Sequence, residues 1–104
     1  MMETKHWYTS GSGLVEIEMT AEQAASASHP GPCDADVAVL VADPVIAAQL
    51  DRIGPDAIRK ELAEHGAWDD AELADDAQNR QRIVWIAAND ITEELYTQGK
   101  EGDE

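Results

Sequence analysis

Proline and glycine recur at short intervals through the middle of this chain, and that punctuation confines it to short helices. His29-Pro30-Gly31-Pro32, Asp43-Pro44, Gly54-Pro55 and Gly66 each interrupt an apolar-periodic run. Proline lacks the donor that an interior helical position needs, and glycine favours the left-handed backbone that ends a helix. Between the breaks the spacing is helical. Val37, Leu40 and Val41 fall at i, i+3, i+4; Ile46, Leu50 and Ile53 at i, i+4, i+7; Ile58 and Leu62 mark a third piece. Asp34 and Asp43 stand where N-caps belong, and Pro44 follows Asp43 at the first helical position, where its missing N–H costs nothing.

The segments before and after this region read differently. From His6 to Met19 the pattern is extended: Val15, Ile17 and Met19 alternate with Glu16 and Glu18, the period of a strand with one wet face, and Ser10–Gly13 supplies a turn. Thr20 and Gln23 then have the spacing of a capping box opening an Ala-rich helix, which the His29–Pro32 break must end. Asp69 with Glu72 marks a further helix start. Leu73, Ala77, Val84, Ala88, Ile91 and Leu95 keep helical spacing to Thr97, with Trp85 and Ile86 widening the apolar surface, so this helix is expected to run through the middle of the fold. The fold class is therefore mainly α: an N-terminal β-hairpin (6–19) packed on a bundle of four or five short helices (20–97), followed by a polar, acidic tail (98–104) expected to fray. With 104 residues and no repeat or linker, 1–104 is read as a single domain. Phe is absent, alanine is abundant and Cys33 is the only cysteine, which favours closely packed helices with a few large anchors and excludes an internal disulfide.

Charge bounds the function. Asp and Glu number 22 against 7 Lys and Arg, a formal charge of −15. Phosphate-binding surfaces need clustered cations, so direct binding to nucleic acid is excluded, and an anionic membrane surface is disfavoured by the same sign argument. No apolar run reaches the roughly 20 residues that span a bilayer, and MMETKHWYTSGSG has neither the basic start nor the apolar centre of a secretory signal; a cytoplasmic location is expected.

No pattern points to catalysis, a cofactor or a metal. Ser10, Ser26, Ser28 and Cys33 have no nucleophile-elbow surroundings, and Gly11-Ser12-Gly13 lacks the lysine of a phosphate loop. His29, Cys33, Asp34 and Asp36 are donor types, but the acids serve as caps and the HxxxC spacing has no second pair. Between Asp69 and Asp76, Ala71, Leu73 and Ala74 interrupt the alternation that a calcium loop requires. His65 before Gly66 suits a helix C-terminus. The chain is expected not to be an enzyme.

What stands out is a one-sided stretch. Seven acids lie between Glu61 and Asp76: Glu61, Glu64, Asp69, Asp70, Glu72, Asp75 and Asp76, with no Lys or Arg among them. Such a run is commonly a solvated face. It also carries charge at intervals resembling phosphates, which attracts a groove lined with lysine and arginine. The partner-binding candidates are therefore Glu64, Trp68, Asp69, Asp70, Glu72, Asp75 and Asp76, with Trp68 as the apolar anchor; Glu16 and Glu18 on the strand's wet face can widen the surface. Arg80 and Arg82, just beyond, are expected to neutralise part of it.

The strings ASASHPGPCDADVAVL and AWDDAELADDAQNRQRIVWIAANDI resemble small acidic proteins of phages and mobile elements. Among these the chain is similar, over roughly Leu14 to Ile91, to the type I-F anti-CRISPR proteins, in particular their sixth numbered family. The resemblance implies an inhibitor that binds the host's RNA-guided surveillance complex and stops it from engaging target DNA, with no catalytic step, cofactor or metal. Two other accounts fit the same charge. One is an acidic adaptor that binds a different nucleic-acid-binding protein. The other is a salt-adapted domain whose carboxylates and scarce lysines (Lys5, Lys60 and Lys100) keep it soluble.

Overall fold

A computed structural model describes residues 5–28 and 31–102. Strands β1 (Lys5–Thr9) and β2 (Glu16–Thr20) form an antiparallel hairpin in which Tyr8 opposes Ile17 and Trp7 opposes Glu18. Helices α1 (Ala21–Ala27), α2 (Ala35–Ala42), α3 (Pro44–Ile53) and α4 (Pro55–His65) follow. A single 3-10 turn (Glu72–Ala74) then leads into the long helix α5 (Asp76–Gly102). The expected class, a hairpin on a mainly helical bundle, is the one observed.

Each boundary has a local cause. The hairpin alternation is physical: Val15, Ile17 and Met19 are buried while Glu16 stays in water. Thr20 accepts from the Gln23 amide and the Gln23 side chain accepts from the Thr20 amide, a complete capping box on α1. Asp34 caps α2, and Asp43 caps α3 by accepting from Val45 and Ile46. Gly66 ends α4 at φ 69°, in the left-handed region where a Cβ is strained. Of the break at His29–Pro32, His29 and Pro30 lie outside the described residues.

Helix α5 packs against α1, α2, α4 and both strands, so it is the central element. Its inward face carries Ile83, Val84, Ala87, Ala88 and Ile91, which share one continuous core with Tyr8, Ile17, Leu50, Ile58 and Leu62. The small alanines of α5 let neighbouring helices approach closely, which lets a chain without Phe fill its interior.

Two details of the last helix differ from the sequence pattern. The helix starts at Asp76, not Asp69: Glu72 does accept from the Asp69 amide, but the turn stops after Ala74, and Asp75, in extended backbone, becomes the cap by accepting from the Gln78 amide. Ala77 is exposed, whereas Asn79 and Arg82 are buried. Asn79 donates to the Leu73 carbonyl at 2.7 Å and Arg82 to the Glu72 carbonyl at 2.7 Å, so these side chains satisfy the carbonyls freed where the 3-10 turn breaks off. At the other end the backbone stays helical to Gly102, past Gln98, where the composition predicts fraying to begin. Asp103 and Glu104 lie outside the described residues.

Candidate functional site

The acidic stretch occupies the connection between α4 and α5. After Gly66 turns the chain, Leu73 is fully buried and Trp68 is half-buried, and these two side chains pin the connection to the core. Glu64, Asp69, Asp70, Glu72, Asp75 and Asp76 are all exposed. The connection is thus held from beneath by two apolar residues and presents carboxylates outward.

Trp68, expected as a partner anchor, packs on the core, and the Arg82 guanidinium lies 5.4 Å from its ring centroid, within cation–π range. Much of its surface is committed inside the protein. The expected neutralisation by arginine involves no salt bridge among the described residues: Arg80 points away from the connection, and Arg82 lies buried against it. Arg80 pairs with Asp51 of α3 at 2.7 Å, and Arg82 is buried with its bonds directed to the Glu72 carbonyl, Asn79 Oδ1 and Gln78 Oε1. Among the described residues, none of the six exposed carboxylates of the connection joins a salt bridge. Glu72 and Asp75 accept backbone amides; among the described residues the side chains of Glu64, Asp69, Asp70 and Asp76 accept none.

Glu61 leaves the acidic surface altogether. It is 5% exposed and sits under the hairpin loop. Ser12 donates to its Oε1 at 2.8 Å, the Tyr8 hydroxyl approaches its Oε2 at 3.4 Å, and His65 Nε2 stands 3.4 Å from the same oxygen. Ser10 and Ser12 share a hydrogen bond at 3.1 Å, and Ser10 also accepts from the Val15 amide, which closes the loop on itself. His65, which the sequence leaves isolated, therefore has a partner one turn away. Burial, together with the charges of Glu61 and Asp90 and the bond to Glu61, raises the pKa of Tyr8 well above that of a free phenol. Asp90 is raised as well, chiefly by burial; His65 works against that shift and Glu93 adds to it.

This group brings serine, histidine and a carboxylate together, yet in an order that ties the fold. The carboxylate lies between the hydroxyl and the imidazole, whereas activation of a serine nucleophile needs the imidazole in the middle. Its role is to fasten the hairpin loop to α4. Ser12 and Glu61 are 49 positions apart, and no local spacing announces such a pair.

Cys33 is exposed, Asp34 is used as a cap, and among the described residues no group of three His, Cys, Asp or Glu side chains is placed to hold a metal ion. Among the described residues no helix is long and apolar enough to cross a membrane. No protein-family model matches the chain, and no curated protein or solved structure matches it.

Proposed function

We propose that this chain is a binding protein that offers the carboxylate surface between α4 and α5 to a basic, nucleic-acid-binding surface of another protein and so keeps nucleic acid from it. One observation carries the reading: among the described residues the six exposed carboxylates from Glu64 to Asp76 join no salt bridge, while Arg80 pairs with Asp51 and Arg82 is buried with its bonds to the Glu72 carbonyl, Asn79 and Gln78. Unpaired charges of one sign, held on a connection pinned by Leu73 and Trp68, produce a field that steers a cationic groove toward them.

The partner is the one that the sequence resemblance implies, a type I-F RNA-guided surveillance complex. Such complexes recognise the DNA backbone through basic surfaces and leave sequence reading to the guide. A compact anion seated on those surfaces excludes the duplex by occupation, with no chemical step. Plaque counts on paired host strains test the proposal. Expression of this chain should restore phage growth only where an active type I-F system is present. Equal plating in both strains discards the partner, and a chain that folds only as salt is raised shifts the meaning of the charge to salt adaptation.

A further inference from the structure

We infer that the outer face of the hairpin, together with the exposed side of α3, is a contact surface for a second copy of this chain. Trp7 is 52% exposed at the centre of this face, with Val45 at 55% on one side and Leu14 at 37% on the other. The groove on this face is lined throughout by Trp7, Gln49 and Arg52, with Pro44, Ala48 and Ile53 adding apolar wall. Among the described residues the other large exposed apolar side chains, Val39 and Tyr96, lie on α2 and α5, outside this groove. Exposed apolar side chains grouped around one groove within a polar rim suit an interaction site, and tryptophan is a residue type that dominates binding energy.

Charge identifies the occupant. Glu16 and Glu18 share the wet face with Trp7, since Glu18 is its cross-strand partner; Lys5 lies two residues along β1 on that face, and Arg52 lines the groove. Two anions and two cations give local balance on a chain whose total is −15. Among the described residues none of the four is salt-bridged within the chain. A basic partner would meet Arg52 and Lys5 unfavourably here and has a purely acidic surface available elsewhere. A twofold axis through this face can instead set Arg52 of one copy against Glu16 and Glu18 of the other, so that the mixed charges of the face pair across the contact. It also lets two anionic molecules meet where their mutual repulsion is smallest. The inference does not rest on the function proposed above.

Sedimentation velocity on the full chain tests it through a salt signature. Attraction within the neutral patch is short-ranged, while repulsion between two −15 molecules is long-ranged. Screening falls from a Debye length of about 30 Å at about 0.01 M salt to about 3 Å at about 1 M. Dimer affinity should therefore rise at least about tenfold between those conditions. Val45→Asp places a carboxylate in the first turn of α3, where the helix dipole favours it, so the fold persists while dimer affinity falls at least about tenfold. Trp7→Ser, at an exposed strand position, should do the same, with circular dichroism reporting an intact fold for both variants. A monomer at both salt concentrations overturns the inference. So does a dimer that either variant leaves unchanged, one that weakens as salt rises, or a monomer that takes up a basic peptide at Trp7.

Discussion

The hydroxyl of Tyr8, on the first strand, meets the carboxylate of Glu61, on the fourth helix, at 3.4 Å across 53 positions of sequence. That contact separates Glu61 from the acids around it. Glu61→Ala leaves the buried Tyr8 hydroxyl without its acceptor and should cost about 1–3 kcal/mol of stability in denaturant unfolding. Glu64→Ala, three residues on and exposed, should change stability by less than about 0.5 kcal/mol. Similar effects for the two variants would show that burial does not distinguish them.

The same contact predicts an alkaline signature. Tyr8 is raised in the folded protein, so the stability linked to its proton is complete below the unfolded phenol value of about 10 and is lost as pH climbs through the folded value. Ultraviolet titration of the native protein should show the Tyr8 phenol ionising only as the chain unfolds. Tyr8→Phe should flatten the alkaline fall in stability. A phenol at Tyr8 that titrates normally while the fold stays intact contradicts the assignment.

Gln49 completes a strand edge. Its Oε1 accepts from the Glu18 amide at 2.6 Å and its Nε2 donates to the Glu18 carbonyl at 2.9 Å, so one side chain does for β2 what a third strand would do. Gln49→Ala strips both groups of their partner and should cost about 1–3 kcal/mol, with faster amide exchange at Glu18. Unchanged exchange at that amide would sink this account.

Asp75 and Asp70 should also part company under mutation. Asp75 caps α5, and its replacement by Ala should cost about 1 kcal/mol in thermal or denaturant unfolding. Asp70 is exposed and sits in a field of like charge, so Asp70→Ala should be neutral or slightly stabilising, more so at low salt. A functional test by charge reversal therefore belongs at Glu64, Asp69 and Asp70. Lysine at Glu64 also suits the last turn of α4, where a cation meets the negative end of the dipole.

Local chemistry made most of the fold legible. The Thr20–Gln23 box, the Asp43-Pro44 start and the left-handed Gly66 stop are short-range devices, and each acts within its own turn. The start of α5 was not legible, because Asp69 and Glu72 do form half of a capping box and yet the helix begins at Asp76. What decides the matter is Asn79 and Arg82 reaching back to the carbonyls of Leu73 and Glu72. The acidic run was legible as composition. Which acids face water was not, since the burial of Glu61 depends on Tyr8 and Ser12 arriving from the hairpin.

The central claim is that the carboxylates between α4 and α5 exclude nucleic acid from a basic protein surface. Target-duplex binding by a purified type I-F surveillance complex, measured with increasing amounts of this chain, tests it most directly. The account predicts that the wild-type chain abolishes duplex binding, that added salt weakens the block, and that the Glu64→Lys, Asp69→Lys, Asp70→Lys variant, folded by circular dichroism, leaves duplex binding intact. Undiminished duplex binding at saturating wild-type chain, or an equal block by the charge-reversed variant, would contradict it.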